Sequence, residues 1–248
     1  MKEIRINFWE LSPQDIRTDI KKHGSIIFKN VLSANEINIF LKKFNEISAT
    51  LKDSPSTSKP KDPISFYRKF NIGSHGKFGE FPRFFRTTYM PFWKENLSFS
   101  ESIFKPIILL RNHISGVPSH FSYTEDYLNN LWSACRIQQY FVGGGFFSEH
   151  TDVVIDKISK QSNLNTIQLV ALLSSKGVDY EAGGATIRDA KNKITDIESI
   201  AKSGDIIAYD GSSLHGVLPI DTHKTLDLNF TTGRIVALAS IYKINKDD

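Results

Sequence analysis

Apolar residues follow two different rhythms along the chain. In the first fifty positions they recur with helical spacing. Ser12-Pro13-Gln14-Asp15 reads as a helix start, with Ser as N-cap, Pro at the first helical position and an acid in the first turn. Ile16 and Ile20 share a face and Gly24 ends the helix. Residues 25–32 form a β-branched run that reads as a strand. Ser33 and Glu36 then match a capping box, and Ile37, Phe40, Leu41, Phe44, Ile47 and Leu51 follow on one face of an amphipathic helix. Residues 52–63, rich in Ser, Pro and Lys, read as a loop and a candidate lid. Residues 66–93 are dense in aromatics and Arg; residues 97–114 predict another helix with Pro106 at a start or kink, and residues 123–135 a further short one.

From Arg136 the rhythm shortens. Eight β-rich runs, at residues 136–142, 146–154, 166–173, 185–189, 205–209, 216–220, 227–230 and 234–242, are separated by Gly, Asp and Ser. Short strands at such spacing predict a barrel or double-sheet jelly roll, so the fold class is mainly β with flanking α-helices. With no linker or internal repeat, residues 1–248 read as a single domain. Residues 1–135 would supply support and the substrate entrance, and residues 136–248 the core.

Composition narrows this little. The 18 Phe suit a core and an apolar pocket alike. A formal charge of +4 without any dense Lys/Arg stripe gives no support to nucleic acid as a partner and is compatible with anionic small molecules. The single Cys135 rules out an internal disulfide framework, and it reads as a small buried hydrophobe. Met1 to Asn7 carries no leader-like apolar run, and nothing approaches a membrane span, so the expected location is cytoplasmic.

The candidate chemistry lies in His150-Thr151-Asp152, directly after Gly143-Gly144-Gly145 and Phe146 to Glu149. On an extended segment the side chains of His150 and Asp152 leave the same face. One imidazole and one carboxylate can fill two corners of a metal's coordination sphere. His215, arriving from a later strand, would complete a 2-His-1-carboxylate facial triad, an arrangement with open positions typical of non-haem Fe(II) oxygenases. His-x-Asp alone is weak; its setting among Gly183-Gly184, Ser203-Gly204-Asp205 and Leu214-His215-Gly216 strengthens it. His75, His113 and His223 read as surface or loop histidines, with His223 the alternative ligand to His215, and Arg83 and Arg86 read as surface charges in preference to contacts for an anionic substrate.

Taken together, residues 136–242 resemble the Fe(II)/2-oxoglutarate-dependent dioxygenase superfamily. The resemblance rests on Gln139-Tyr140 and the glycine triplet before His150-Thr151-Asp152, on Tyr180-Glu181-Ala182-Gly183-Gly184, on Ser203 to His215-Gly216-Val217-Leu218-Pro219, and on Gly233-Arg234-Ile235-Val236. The helical front is similar to the prolyl-hydroxylase-like and phytanoyl-hydroxylase-like branches. The resemblance implies a double-stranded β-helix (cupin-like) core and an oxidoreductase with Fe(II), 2-oxoglutarate and O2 as cofactor and co-substrates. His150, Asp152 and His215 would hold the metal, and Arg234 would anchor the distal carboxylate of 2-oxoglutarate. Tyr140 would touch the co-substrate, with Gln138 on the same face as a further candidate. The spacing from His215 to Arg234 exceeds the family's, which implies an insertion at residues 221–230, read as an extended hairpin, and leaves Arg136 as a rival anchor. Thr166 or Gln168 could replace a polar residue that the family carries on the strand after the carboxylate ligand. A carboxylate at Asp152, where related halogenases carry a small residue, favours hydroxylation. The substrate reads as a small or medium metabolite, of natural-product or amino-acid type. The alternatives are a peptide or protein hydroxylase, a cupin-like metalloenzyme that does not use 2-oxoglutarate, and a non-catalytic binding module.

Overall fold

Strand β1 (Lys2–Ile4) lies parallel to β2 (Ser25–Phe28), and helix α1 (Pro13–His23) connects them. Ser12 caps α1 by accepting from the Asp15 amide at 3.1 Å, and Gly24 ends it with φ 78°. The capping box is formed as the sequence predicts: Ser33 Oγ accepts from the Glu36 amide, and Glu36 accepts from the Ser33 amide, opening α2 (Ala34–Ser48). Two strands, β3 (Asp53–Pro55) and β4 (Tyr67–Gly73), pair in parallel, and β5 (Arg83–Tyr89) returns antiparallel to β4. A 3-10 turn (Glu95–Ser100) leads into α3 (Glu101–Ser115), which carries Pro106 inside it. The computed structural model describes residues 2–4, 10–55, 64–73, 81–152, 167–188 and 192–244; the candidate lid from residue 56 to 63, His75 and Thr166 lie outside the described residues.

The remaining strands are β6 (Glu125–Asp126), β7 (Leu131–Tyr140), β8 (Phe146–His150), β9 (Ile167–Leu172), β10 (Gly184–Arg188), β11 (Ile194–Asp196), β12 (Ile206–Asp210), β13 (His215–Leu218) and β14 (Arg234–Lys243). Their order in the sheet is β1-β2-β12-β9-β14-β7-β5-β8-β13-β10-β11, mostly antiparallel. The junction between β5 and β8 is narrow, with only Arg83↔Phe147 and Phe84↔Phe146 in register. There the sheet folds over, so that β8, β13 and β10 face β7, β9, β12 and β14 across a cavity. This is the double-stranded β-helix expected from the sequence.

Period-2 alternation sorts the side chains of the larger half. Ile26, Phe28, Leu169, Ala171, Ile206, Ala208, Ile235 and Ala237 point outward into the core shared with Ile16, Ile20, Phe40, Phe44, Phe104 and Ile108 of the helices. Ile27, Val170, Leu172, Ile207, Tyr209, Val236 and Leu238 point inward. The helices therefore cover one face of the sheet and leave the other to the cavity. Arg111 of α3 joins the layers, donating to Ser133 Oγ at 3.0 Å and to the Ala239 carbonyl at 2.7 Å. Among the described residues, no helix is long and apolar enough to cross a membrane.

Three segments depart from expectation. Residues 123–135 contain β6 and the first half of β7, not a helix. Both faces of β7 are covered, so Leu131 to Ile137 are all buried and offer no alternation to read. Residues 227–230 are no strand and 221–230 no hairpin. Asp227 Oδ1 accepts from the Asn229 amide at 2.9 Å, an Asx-type turn that competes with extended pairing, and only a single bridge, Val142↔Asp227, remains. The segment instead lies against β5 and β7, where the Leu228 carbonyl accepts from Arg86 Nη1 at 2.9 Å and the Phe230 ring sits 4.6 Å from the Arg86 guanidinium. The loop expected at residues 52–63 begins with β3, whose Asp53 pairs with Arg68 and Arg86.

Asp205 ties the β2 end to the start of β12. Its fully buried carboxylate binds Lys29 Nζ at 2.6 Å and the amides of Asn30 and Lys202 at 2.9 Å each. Removing one member of a buried pair costs more than the pair itself contributes, so Asp205→Ala should lower the unfolding free energy by about 3 kcal/mol. Chemical denaturation checks this, and a change below about 0.5 kcal/mol, the level of an ordinary surface substitution, contradicts it.

Candidate metal centre

The pairing of β8 with β13 sets His150 directly opposite His215, and the register shifts between His215 and Val217. Gly216 permits this approach, since a Cβ there would lie 3.0 Å from the Phe147 carbonyl oxygen. Asp152, two residues past His150, is tethered by its amide to the Gly211 carbonyl at 2.9 Å. Gly211 also makes room for it: a Cβ at that position would meet both Cβ and Oδ2 of Asp152 at 3.3 Å. The three side chains each offer a ligand atom, and these atoms all lie within 4.8 Å of one another. Among them, His215 Nε2 is 3.5 Å and His150 Nε2 4.0 Å from the Asp152 carboxylate.

Both imidazoles are oriented in the same manner. His150 Nδ1 lies 2.8 Å from the Ser148 carbonyl, and His215 Nδ1 lies 2.8 Å from the Ser213 carbonyl. A carbonyl only accepts, so each Nδ1 carries the proton and each Nε2 presents a lone pair to Asp152. Burial pushes His150 down to about 4, helped by the neighbouring His215 and opposed by the Ser148 carbonyl; burial likewise lowers His215. Both rings are thus neutral near pH 7, the form in which imidazole binds metal. Burial raises Asp152, while the nearby His150 and Arg136 work against that shift. Two bare imidazole nitrogens and one carboxylate converging on a cavity fit a divalent ion of ferrous type, with positions left on the cavity side.

The cavity measures about 320 Å3. Arg234 opens β14 directly opposite Tyr140 in register, and its guanidinium sits 4.9 Å from the Tyr140 ring. Arg234 is buried, and its Nε donates to Glu198 Oε1 at 2.7 Å while Nη2 lies 2.6 Å from the same oxygen. Glu198 in turn accepts from the Tyr180 hydroxyl. Tyr140 donates to Gln138 Oε1 at 3.1 Å, and both line the cavity. The structure therefore brings His150, Asp152, His215, Arg234, Tyr140 and Gln138 around one space. Arg136 and Gln168 line it as well.

His223 is exposed beside Glu181, as the sequence predicts, and His113, on α3, contacts the Leu11 carbonyl, so neither joins the cluster. Arg86 is no surface charge: it is buried on the outer side of the sheet between Asp53, Gln139 and Leu228. Arg83 lines the cavity. Sequence reasoning missed Glu198, Gly211, Tyr209 and Lys69. Tyr209 was within reach, because alternation along β12 puts it on the inner face with Ile207. Glu198 meets Arg234 through a pairing that no local pattern encodes.

No family model and no curated protein matches the sequence. Solved structures do match its fold. A prolyl hydroxylase from Trichoplax adhaerens, in complex with a hypoxia inducible factor peptide fragment, is 12% identical with a TM-score of 0.57, covering 92% of this chain and 87% of its own. The α-ketoglutarate-dependent epimerase SnoN from nogalamycin biosynthesis is 10% identical with a TM-score of 0.56, covering 94% and 84%. A Pseudomonas putida prolyl-4-hydroxylase is 15% identical with a TM-score of 0.51, covering 92% and 97%.

The space at Gly211 gives a direct test of the centre. Gly211→Ala crowds the Asp152 carboxylate without imposing backbone strain, so Co(II) affinity measured by calorimetry should fall by roughly tenfold, as expected for a group that supports a metal ligand. The melting temperature should change little. Unaltered Co(II) affinity would show that Asp152 does not depend on this clearance.

Proposed function

We propose that this chain is an Fe(II)- and 2-oxoglutarate-dependent oxygenase, a hydroxylase acting on a C–H bond of a small or medium-sized metabolite, with the whole chain working as one unit. The observation that carries the reading is the meeting of two Nδ1-anchored imidazoles and one carboxylate at a cavity that also holds a buried arginine. When bound, ferrous iron with a 2-oxo acid and O2 supplies the oxidation of a C–H bond, with succinate and CO2 as co-products.

The protein's own part is binding, orientation and exclusion of water. His150, Asp152 and His215 hold the ion, and the Ser148 and Ser213 carbonyls fix the two rings. Arg234 is placed for the distal carboxylate of the co-substrate. Glu198 occupies its Nε and Nη2 side, which leaves Nη1 with no acceptor among the described residues. Glu198 thereby positions the guanidinium for a second carboxylate, and the Tyr140 ring supports it from one face. Phe85, Phe147 and Val217 give the cavity an apolar wall that displaces water.

The fold neighbours point to two kinds of substrate, a peptide fragment for one prolyl hydroxylase and natural-product chemistry for the epimerase. A cavity of about 320 Å3 lined from both halves of the sheet favours the second kind.

Two outcomes follow. Asp152→Ala should abolish succinate formation from 2-oxoglutarate in air. Arg234→Met should retain metal and raise the KM for 2-oxoglutarate by roughly a hundredfold, through loss of a charge-assisted contact. Succinate release with Arg234→Met showing an unchanged KM would exclude Arg234 as the anchor and favour Arg136.

A further inference from the structure

Cations outnumber carboxylates among the described residues that line the cavity: Lys69, Arg83, Arg136 and Arg234 stand there with Asp152. Arg234 is compensated from behind by Glu198. Arg136 has no ion-pair partner of that kind among the described residues, although Asp152 is near enough to interact with it electrostatically. It is 7% exposed, and its side chain donates to the Ala134 carbonyl at 3.3 Å and to Ser240 Oγ at 3.2 Å, with the Tyr242 ring 5.2 Å away. No carboxylate stands within salt-bridge distance of it among the described residues. Its two hydrogen bonds are long and go to neutral acceptors, so an incoming carboxylate would add the charge-assisted contact that they do not supply.

Arg136 also stands at a different level from Arg234. Along β7 it precedes Tyr140, the partner of Arg234, by four residues, which is roughly 13 Å of strand. It stands at the level of the metal ligands instead. Arg136 Nη2 donates to Ser240 Oγ, Ser240 donates to Gln168 Oε1 at 3.1 Å, and the Gln168 stem and the Asp152 carboxylate both border the same point above Gly211. A 2-oxo acid that reaches from the triad to Arg234 leaves Arg136 to another molecule.

Register supplies the rest of the surface. Tyr67, Tyr89 and Arg136 form one cross-strand row over β4, β5 and β7, and Lys69, Thr87 and Gln138 form the next on the same face. The Tyr67 and Tyr89 rings stack at 4.6 Å. Lys69 carries a half-buried amine, held below the usual lysine range by burial and by Arg83 nearby, and no carboxylate pairs with it among the described residues.

We propose that Arg136, with Lys69 as a second cation, is the recognition site for the primary substrate, and that this substrate is a small organic acid whose carboxylate Arg136 holds while its apolar or aromatic body lies toward the metal ligands. This rests on the reading of the centre as a 2-oxoglutarate site, and it assigns Arg136 to the oxidised molecule and not to the co-substrate.

The test uses the full chain loaded with Mn(II) and saturating 2-oxoglutarate under anaerobic conditions. It is titrated by calorimetry with 3-phenylpropionate and with its uncharged amide. The wild type should prefer the acid. Arg136→Met should weaken acid binding by roughly tenfold to a hundredfold, leaving amide and 2-oxoglutarate binding as they were. Arg136→Lys should restore part of the loss, which guards against a folding defect in the methionine variant, and Lys69→Met should show a smaller loss of acid binding. Equal binding of acid and amide, binding of neither, or loss of 2-oxoglutarate affinity in Arg136→Met each overturns the proposal. Should the wild type fail to bind 2-oxoglutarate, the reading of the centre falls, while the same acid-against-amide titration of metal-free protein still decides whether Arg136 selects an anion.

Discussion

The antiparallel pairing of β8 with β13 places one imidazole on each strand at directly opposed positions, and the geometry of the centre follows from it. Because side chains alternate with a period of two, a slip of one residue would send His215 to the outer face and leave His150 alone. The register is held from several sides. Gly216 allows the two backbones to approach, β10 pairs along the other edge of β13, and the Gly211 carbonyl fixes the Asp152 amide after β8 ends. Pairing of the sheet thus brings the side chains of His150, Asp152 and His215 together.

Electrostatics divide the inner face into two levels. At the level of the triad, burial keeps both imidazoles neutral and raises the carboxylate, and the Ser148 and Ser213 carbonyls decide which nitrogen is bare. Four residues along β7, Arg234 sits over Tyr140 with Glu198 behind it, a compensated cation whose orientation is fixed. Arg136 remains near the triad with no ion-pair partner among the described residues. The helices have no part in this chemistry beyond covering the other face, where Phe40, Phe104 and Ile108 pack on the outward residues of β9, β12 and β14.

Much of this was legible in the chain itself. Capping serines and helical spacing located α1 and α2, and His-x-Asp with a distant His located the triad, because those signals are local or rely on residue types with few other uses at such spacing. The inner positions of β7 and β14 followed from alternation once strands were assumed. What stayed hidden has physical reasons. Leu131 to Ile137 are buried on both faces, so their pattern could not separate strand from helix. The segment around Asp227 has strand-like composition, but Asn229 turns it through a local hydrogen bond. The Arg234–Glu198 pair, the clearance at Gly211 and the role of β4 in facing Lys69 toward the cavity arise only when distant segments meet.

The most direct measurement of the central claim is an anaerobic titration of the metal-free protein with Fe(II) in the presence of 2-oxoglutarate, followed by visible absorbance. The expected result is a charge-transfer band that saturates at one iron and one 2-oxoglutarate per chain and fails to form in His215→Ala. Stoichiometric iron binding without any such band, or a band of full strength in His215→Ala, would contradict it.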